Sequence, residues 1–204
     1  GRRHIRCGIG DLRLEGLSVD DRCDAAIHSG AQPAFLSRPH GAHGFALPIA
    51  GPLFARHRGG GGGLLEFGVD VSADGQSLIV ARGRFTGAAL PVEADLRRFV
   101  RSGGGFVAAP GSSAEFAAIN TPALEYAPAL TANGLELCFT RFDPADQPTL
   151  MLSERATVAD AWSAPRRIRG PVGLIEAGTW SPDARTLYSR ASVNGRYVLR
   201  RLTR

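Results

Sequence analysis

The sequence contains no lysine; all 24 of its basic residues are arginine. That absence removes one reading at once. The run Gly59–Gly63 is no phosphate cradle, because a P-loop needs a lysine after its glycines, and it reads as a flexible link. Cysteine is scarce: Cys7, Cys23 and Cys138 contain no Cys-x-x-Cys pair. A zinc cluster and a disulfide framework are excluded. Small buried hydrophobes remain, with one Cys7–Cys23 bridge open as the alternative in an oxidising compartment. No apolar run reaches the length of a membrane helix. No Gly-x-Ser-x-Gly elbow occurs, and Gly111-Ser112-Ser113-Ala114-Glu115 does not match it. Aromatics make up only 7% of the chain, and the arginines are scattered rather than gathered into a stripe between them. The net charge of +5 and pI of about 9.8 therefore do not point to a nucleic-acid partner. His40 and His43, with His57 further on, lack a third ligand and read as a solvated loop. No metal or cofactor is expected.

What is abundant is turn chemistry, with 26 Gly and 13 Pro in 204 residues. A hydrophobic share of 44% against 21% charged is enough to bury a core. So many turn residues point to many short strands rather than a helical bundle. A repeat organises them. One copy runs Val71-Ser72-Ala73-Asp74-Gly75 through Leu78-Ile79-Val80 to Arg82. A second runs Leu130-Thr131-Ala132-Asn133-Gly134 through Leu137-Cys138-Phe139 to Arg141. A third runs Trp180-Ser181-Pro182-Asp183-Ala184 through Leu187-Tyr188 to Arg190. A worn copy places Ser18, Asp20 and Asp21 at the turn and His28 where the others have arginine. The Ser/Thr positions stand 54, 59 and 50 residues apart, which suits a propeller blade plus a variable loop. Each copy is a hairpin in outline. Ser and Asp side chains bond backbone N–H groups of the turn, and Gly or Asn tolerates positive φ.

The flanks carry further strands. Arg38, Arg101 and Arg155 each end an apolar stretch followed by an aromatic and a proline: Phe45 and Pro48, Phe106 and Pro110, Trp162 and Pro165. The last copy has Tyr197-Val198-Leu199-Arg200 in that place. Four antiparallel strands per copy account for this order. The expectation is an all-β chain, with residues 1–204 forming one β-propeller domain of about four four-stranded antiparallel blades. The turns would fall near 18–21, 72–75, 131–134 and 181–184. Part of a larger ring of about five or six blades is the alternative. Only 23 residues follow Ser181, room for two strands. The stretch Arg3–Cys7 is expected to supply the missing outer strand and close the ring.

These residues resemble the WD40-like, TolB-type (PD40) propeller repeats of bacterial envelope proteins, built on Ser-Pro-Asp-Gly followed by Leu-x-φ-x-Ser/Thr-x-Arg. Ser181-Pro182-Asp183 with Leu187-Tyr188 fits, as does Glu125 through Thr131, Asn133, Gly134 and Phe139 to Arg141. The departures are Ala184 for the turn glycine, Asn133 for Asp and Asp21 for Gly. The resemblance implies a non-catalytic scaffold that engages a protein or a glycan, periplasmic or extracellular in location. It says little about the specific job, because propellers host many.

Two recurrent sets of side chains invite chemistry. Glu66 and Glu125 lie six residues ahead of the turn Ser/Thr, and Glu176 five ahead. At a channel mouth such carboxylates suit glycoside cleavage, which makes a carbohydrate-active enzyme the alternative function. As repeat-borne groups they more readily pair with the arginine of a neighbouring blade. Arg82, Arg141 and Arg190 form either an anion-binding ring or a structural set bonded to carboxylates and carbonyls. Trp180 and Trp162 read as blade-core residues, with Trp180 kept as a stacking surface for a sugar ring.

Overall fold

The computed structural model describes residues 4–6, 11–17, 63–88, 90–168 and 175–204. The worn first turn, Arg38, Phe45, Pro48, Cys7, Cys23 and the histidines His28, His40, His43 and His57 lie outside these residues. Strands β1 (His4–Arg6) and β2 (Asp11–Leu17) come first. Then follow β3 (Gly63–Val71), β4 (Ser77–Phe85), β5 (Glu93–Ser102) and β6 (Gly105–Ala108), each antiparallel to the one before. This is blade A. One helical turn, α1 (Ser112–Glu115), leads on. Blade B is the meander β7 (Leu124–Leu130), β8 (Glu136–Phe142), β9 (Thr149–Glu154) and β10 (Arg166–Arg167). Blade C is β11 (Ile175–Trp180), β12 (Thr186–Val193) and β13 (Arg196–Thr203). Successive meanders with β3, β7 and β11 side by side are the blades of a β-propeller.

The strand that completes blade C differs from the expectation. Asp11–Leu17 pairs with β13, from Leu199↔Leu17 to Thr203↔Arg13. His4–Arg6 pairs with β2 and so lies one strand further out. The apolar stretch ahead of Ser18 is thus an outer strand of the last blade rather than the inner strand of a first one. Leu12, Leu14 and Leu17 suit an outer strand as well as an inner one, so pattern alone could not decide.

The turns form as the residue types dictate. The Ser72 hydroxyl donates to Asp74 Oδ1 at 2.6 Å, and Asp74 Oδ1 also accepts the Gln76 N–H at 3.0 Å. Thr131 with Asn133, and Ser181 with Asp183, repeat the arrangement at 2.7 and 2.6 Å. The next residue is left-handed in every case: Gly75 at φ 68°, Gly134 at 72° and Ala184 at 55°. The inner strands share a second left-handed residue that sequence reading missed. Gly68, Ala127 and Ala177, at φ 59°, 50° and 54°, each sit at a bulge against the neighbouring strand. Two of these are alanine, so no glycine marks the site.

The core lies between blades. Ile79, Ala81, Leu96, Phe116, Ile119, Leu137, Phe139, Met151 and Trp162 fill the space between A and B. Cys138, Leu150, Leu152, Ile168, Leu187 and Leu202 fill that between B and C. In β4 and β8 consecutive residues are buried on both faces, which explains their unbroken apolar runs. Fully burying a side chain such as Phe139 is worth about 2–3 kcal/mol.

Candidate functional site

The recurrent acids and arginines are brought together within blades A and B. Glu66 stands opposite Arg82 and Glu125 opposite Arg141 in the inner-strand registers. Arg141 Nε donates to Glu125 Oε1 at 2.7 Å, and Glu66 pairs with Arg82 at 3.3 Å. The sequence reading had each glutamate paired with a neighbouring blade's arginine; the partner is the arginine of its own second strand. Glu125 is fully buried. Its carboxylate also accepts the Thr121 hydroxyl at 2.6 Å and the Thr121 N–H at 3.1 Å. Burial pushes the Glu125 carboxyl above the usual range, against the lowering effect of Thr121 and Arg141. Arg141 also donates to the Ile119 carbonyl at 2.7 Å. The pair thus fastens the segment that enters blade B.

Blade C departs from this pattern. Glu176 stands opposite Arg190, but next to the bulge at Ala177, where blades A and B have Phe67↔Ala81 and Tyr126↔Thr140. The positions that match the Glu–Arg pairs hold Ile175 and Ala191. A one-residue offset changes the face of the sheet. Accordingly Ala191 is buried while Arg190 is exposed, its guanidinium 4.8 Å from the Tyr197 ring centroid. The sequence signal for this offset was there: Glu176 lies five residues before its turn, not six.

A second arginine set is more regular than the first. Arg101 lies next to the last residue of β5, and Arg155 and Arg204 directly follow β9 and β13. Each donates its Nε to the carbonyl of the left-handed turn residue: Gly75 at 3.2 Å, Gly134 at 2.8 Å and Ala184 at 2.8 Å. Their backbone N–H groups bond the next carbonyl along, on Gln76, Leu135 and Arg185. The third member is Arg204, not Arg200 as the sequence spacing suggested. Each guanidinium also lies over an aromatic ring, Phe106, Trp162 and Trp180 respectively. Trp180 is therefore covered by Arg204 and packs on the core between B and C, which leaves that face of the ring unavailable for stacking.

Between blades A and B, Glu115 accepts Arg98 Nε at 2.6 Å and Arg155 at 2.9 Å. It is nearly buried, as is Arg155. No repeat signals Glu115, so sequence reasoning had no handle on it. Asp70 of β3 reaches β7, accepting the Leu130 N–H at 2.5 Å. Between B and C, Arg204 forms a bidentate pair with Glu136, and Thr140 Oγ1 accepts the Ala177 N–H at 2.9 Å. Among the described residues no group of three or more His, Cys, Asp or Glu is placed to hold a metal ion, and no helix is long and apolar enough to cross a membrane.

No protein-family model matches the chain, and neither does any curated protein. Among solved structures, TolB from Acinetobacter baumannii is similar over 70% of this chain and 32% of its own, at 12% identity and a TM-score of 0.47. The Cps50 (Swd1) β-propeller domain from Myceliophteria thermophila is similar over 69% of this chain and 38% of its own, at 14% identity and a TM-score of 0.40. This chain thus spans well under half the length of either.

Proposed function

We propose that this chain is a non-catalytic propeller scaffold that binds a protein or a glycan through the loops at one face. The observation that carries the reading is Glu125. It is one of the candidate acids, yet it is fully buried, bonded to Arg141 and to Thr121 twice. A carboxylate so held fastens a loop and cannot reach a sugar. On this reading Arg82 and Arg141 serve the blades, and Arg190, exposed over Tyr197, is the recurrent arginine on the solvent side. Residues 1–204 are read as one propeller-type domain, with the pairing of β2 and β13 supporting an N-terminal strand that completes the last blade. The resemblance to TolB-type repeats supports a place in the cell envelope.

The test pairs two measurements on the intact chain with a panel of soluble polysaccharides and peptidoglycan fragments. Reducing-end release reads catalysis, and retention on immobilised glycan reads binding. The scaffold reading expects no release by the wild type. Release that disappears in both Glu66→Gln and Glu125→Gln establishes the carbohydrate-active alternative.

A further inference from the structure

We infer that Ser189 and Arg200, on the face of blade C that packs on blade B, form a binding site for a small oxyanion, the carboxylate or phosphate group of a ligand. This site is independent of the scaffold reading above. Side chains alternate along a strand. Leu187, Ser189 and Ala191 of β12 therefore share one face, and Leu187 and Ala191 belong to the core between B and C. On β13, Val198, Arg200 and Leu202 share one face, and Val198 and Leu202 reach the same core. Ser189 stands directly opposite Arg200. Ser189 is 1% exposed, and its hydroxyl has no hydrogen-bond partner. Arg200 Nε is buried and equally without one. Among the described residues no carboxylate pairs with Arg200. From blade B, Arg166 stands opposite Leu152 of that core. Its Nη2 holds Glu154 at 3.0 Å, while its Nη1 is buried without a partner.

The same two positions in blade B are apolar. Phe139 stands opposite Met151, and both fill the core between A and B. Blade C has a short hydroxyl and a guanidinium there instead. The exchange gives up the bulk of a phenyl ring and brings a positive charge to the edge of an apolar core. A buried hydroxyl or charge without a partner is costly, and folded proteins bond nearly all such groups. The bonding capacity on offer defines the ligand. The Ser189 hydroxyl can donate, and Arg200 Nε can only donate. A ligand must therefore accept from both and carry negative charge. The oxygens of a carboxylate or a phosphate group meet both demands, through charge-assisted bonds stronger than neutral ones. A water molecule would accept from both but leave the arginine without a counter-ion.

The test melts the full chain in chloride, acetate or inorganic phosphate at one ionic strength. Acetate or phosphate should raise the melting temperature by about 2–4 °C at roughly five times its Kd. Whichever acts more strongly identifies the group. Backbone amide NMR shifts should centre on residues 187–191 and 198–202. Ser189→Ala should keep the fold and bind about tenfold more weakly. Arg200→Met gives blade C the residue that blade B has at position 151. It should abolish the response and melt no lower than the wild type in chloride, because an uncompensated charge is lost. The site is overturned by equal melting temperatures in the three salts, by a response that both variants retain, or by amide shifts centred elsewhere. A loss of melting temperature in Arg200→Met that is the same in all three salts, with the wild-type response kept, would overturn it too. None of these outcomes depends on whether the chain cleaves or retains glycans.

Discussion

Arg155 holds the turn of its own blade: its Nε donates to the Gly134 carbonyl at 2.8 Å, 21 residues back along the chain. The same guanidinium pairs with Glu115 and lies 4.1 Å from the centre of the Trp162 ring. Arg155→Ala should cost about 3 kcal/mol, because it breaks a nearly buried pair and strands a carbonyl. Urea unfolding measures it. Arg155→Lys should recover only part of the loss, since an ammonium cannot serve Gly134 and Glu115 in one plane.

The turn residue predicts changes of opposite sign in equivalent places. Ala184 is held at φ 55° where blades A and B have glycine. Ala184→Gly should stabilise by roughly 0.5–1 kcal/mol, while Gly75→Ala should destabilise by about 1 kcal/mol. Nothing lies within 4 Å of a Cβ at Gly75, so its loss would report backbone strain alone. Matched effects of the same sign in the two thermal melts would contradict this account.

A side chain at position 178 has no room. A Cβ there would lie 2.8 Å from Cys138 Sγ and 3.2 Å from Leu187 Cδ1. Gly178→Ala should lose about 1–3 kcal/mol through overpacking between blades B and C. Cys138→Ala should relieve part of that loss, so the double variant should be more stable than the sum of the singles. Strict additivity would show that the two positions do not touch.

Asp70 predicts a pH dependence. Burial raises its carboxyl above the ordinary value, outweighing the N–H groups of Leu130 and Val71. With the folded pKa above the unfolded one, the native state binds the proton more tightly. The stabilising contribution is therefore complete at low pH and is lost as pH rises through the unfolded and then the raised folded value. Asp70→Asn keeps an oxygen acceptor for Leu130 and sheds the buried charge. It should match or exceed wild-type stability at neutral pH, with the gap closing in acid. A gap that widens on acidification would reverse the sign.

How far the sequence could be read depended on whether a feature had a fixed spacing. The Ser-x-Asp turns are local, and their side-chain bonds close within five residues, so composition and order revealed them. The Glu66–Arg82 and Glu125–Arg141 pairs were visible as recurrences, although the partner strand was not. Arg204 escaped notice because the variable β-loops move the third-strand arginine relative to its turn. Ala127 and Ala177 escaped because alanine does not advertise a left-handed backbone. Glu115 and Asp70 act between blades and occur once each, so no periodicity could expose them. Asp11–Leu17 was misplaced because an apolar strand before a Ser-x-Asp segment looks the same whichever sheet receives it.

The bond from each third-strand arginine to its own turn has an evolutionary reading. The hairpin and its fastener travel on one stretch of about 30 residues or fewer, from Ser72 to Arg101, Thr131 to Arg155 and Ser181 to Arg204. A tandem duplication of such a stretch copies the lock together with the part it locks. A new copy could then fold its turn correctly before selection had fitted it to its neighbours, while interfacial residues such as Glu115 and Glu136 were free to diverge afterwards.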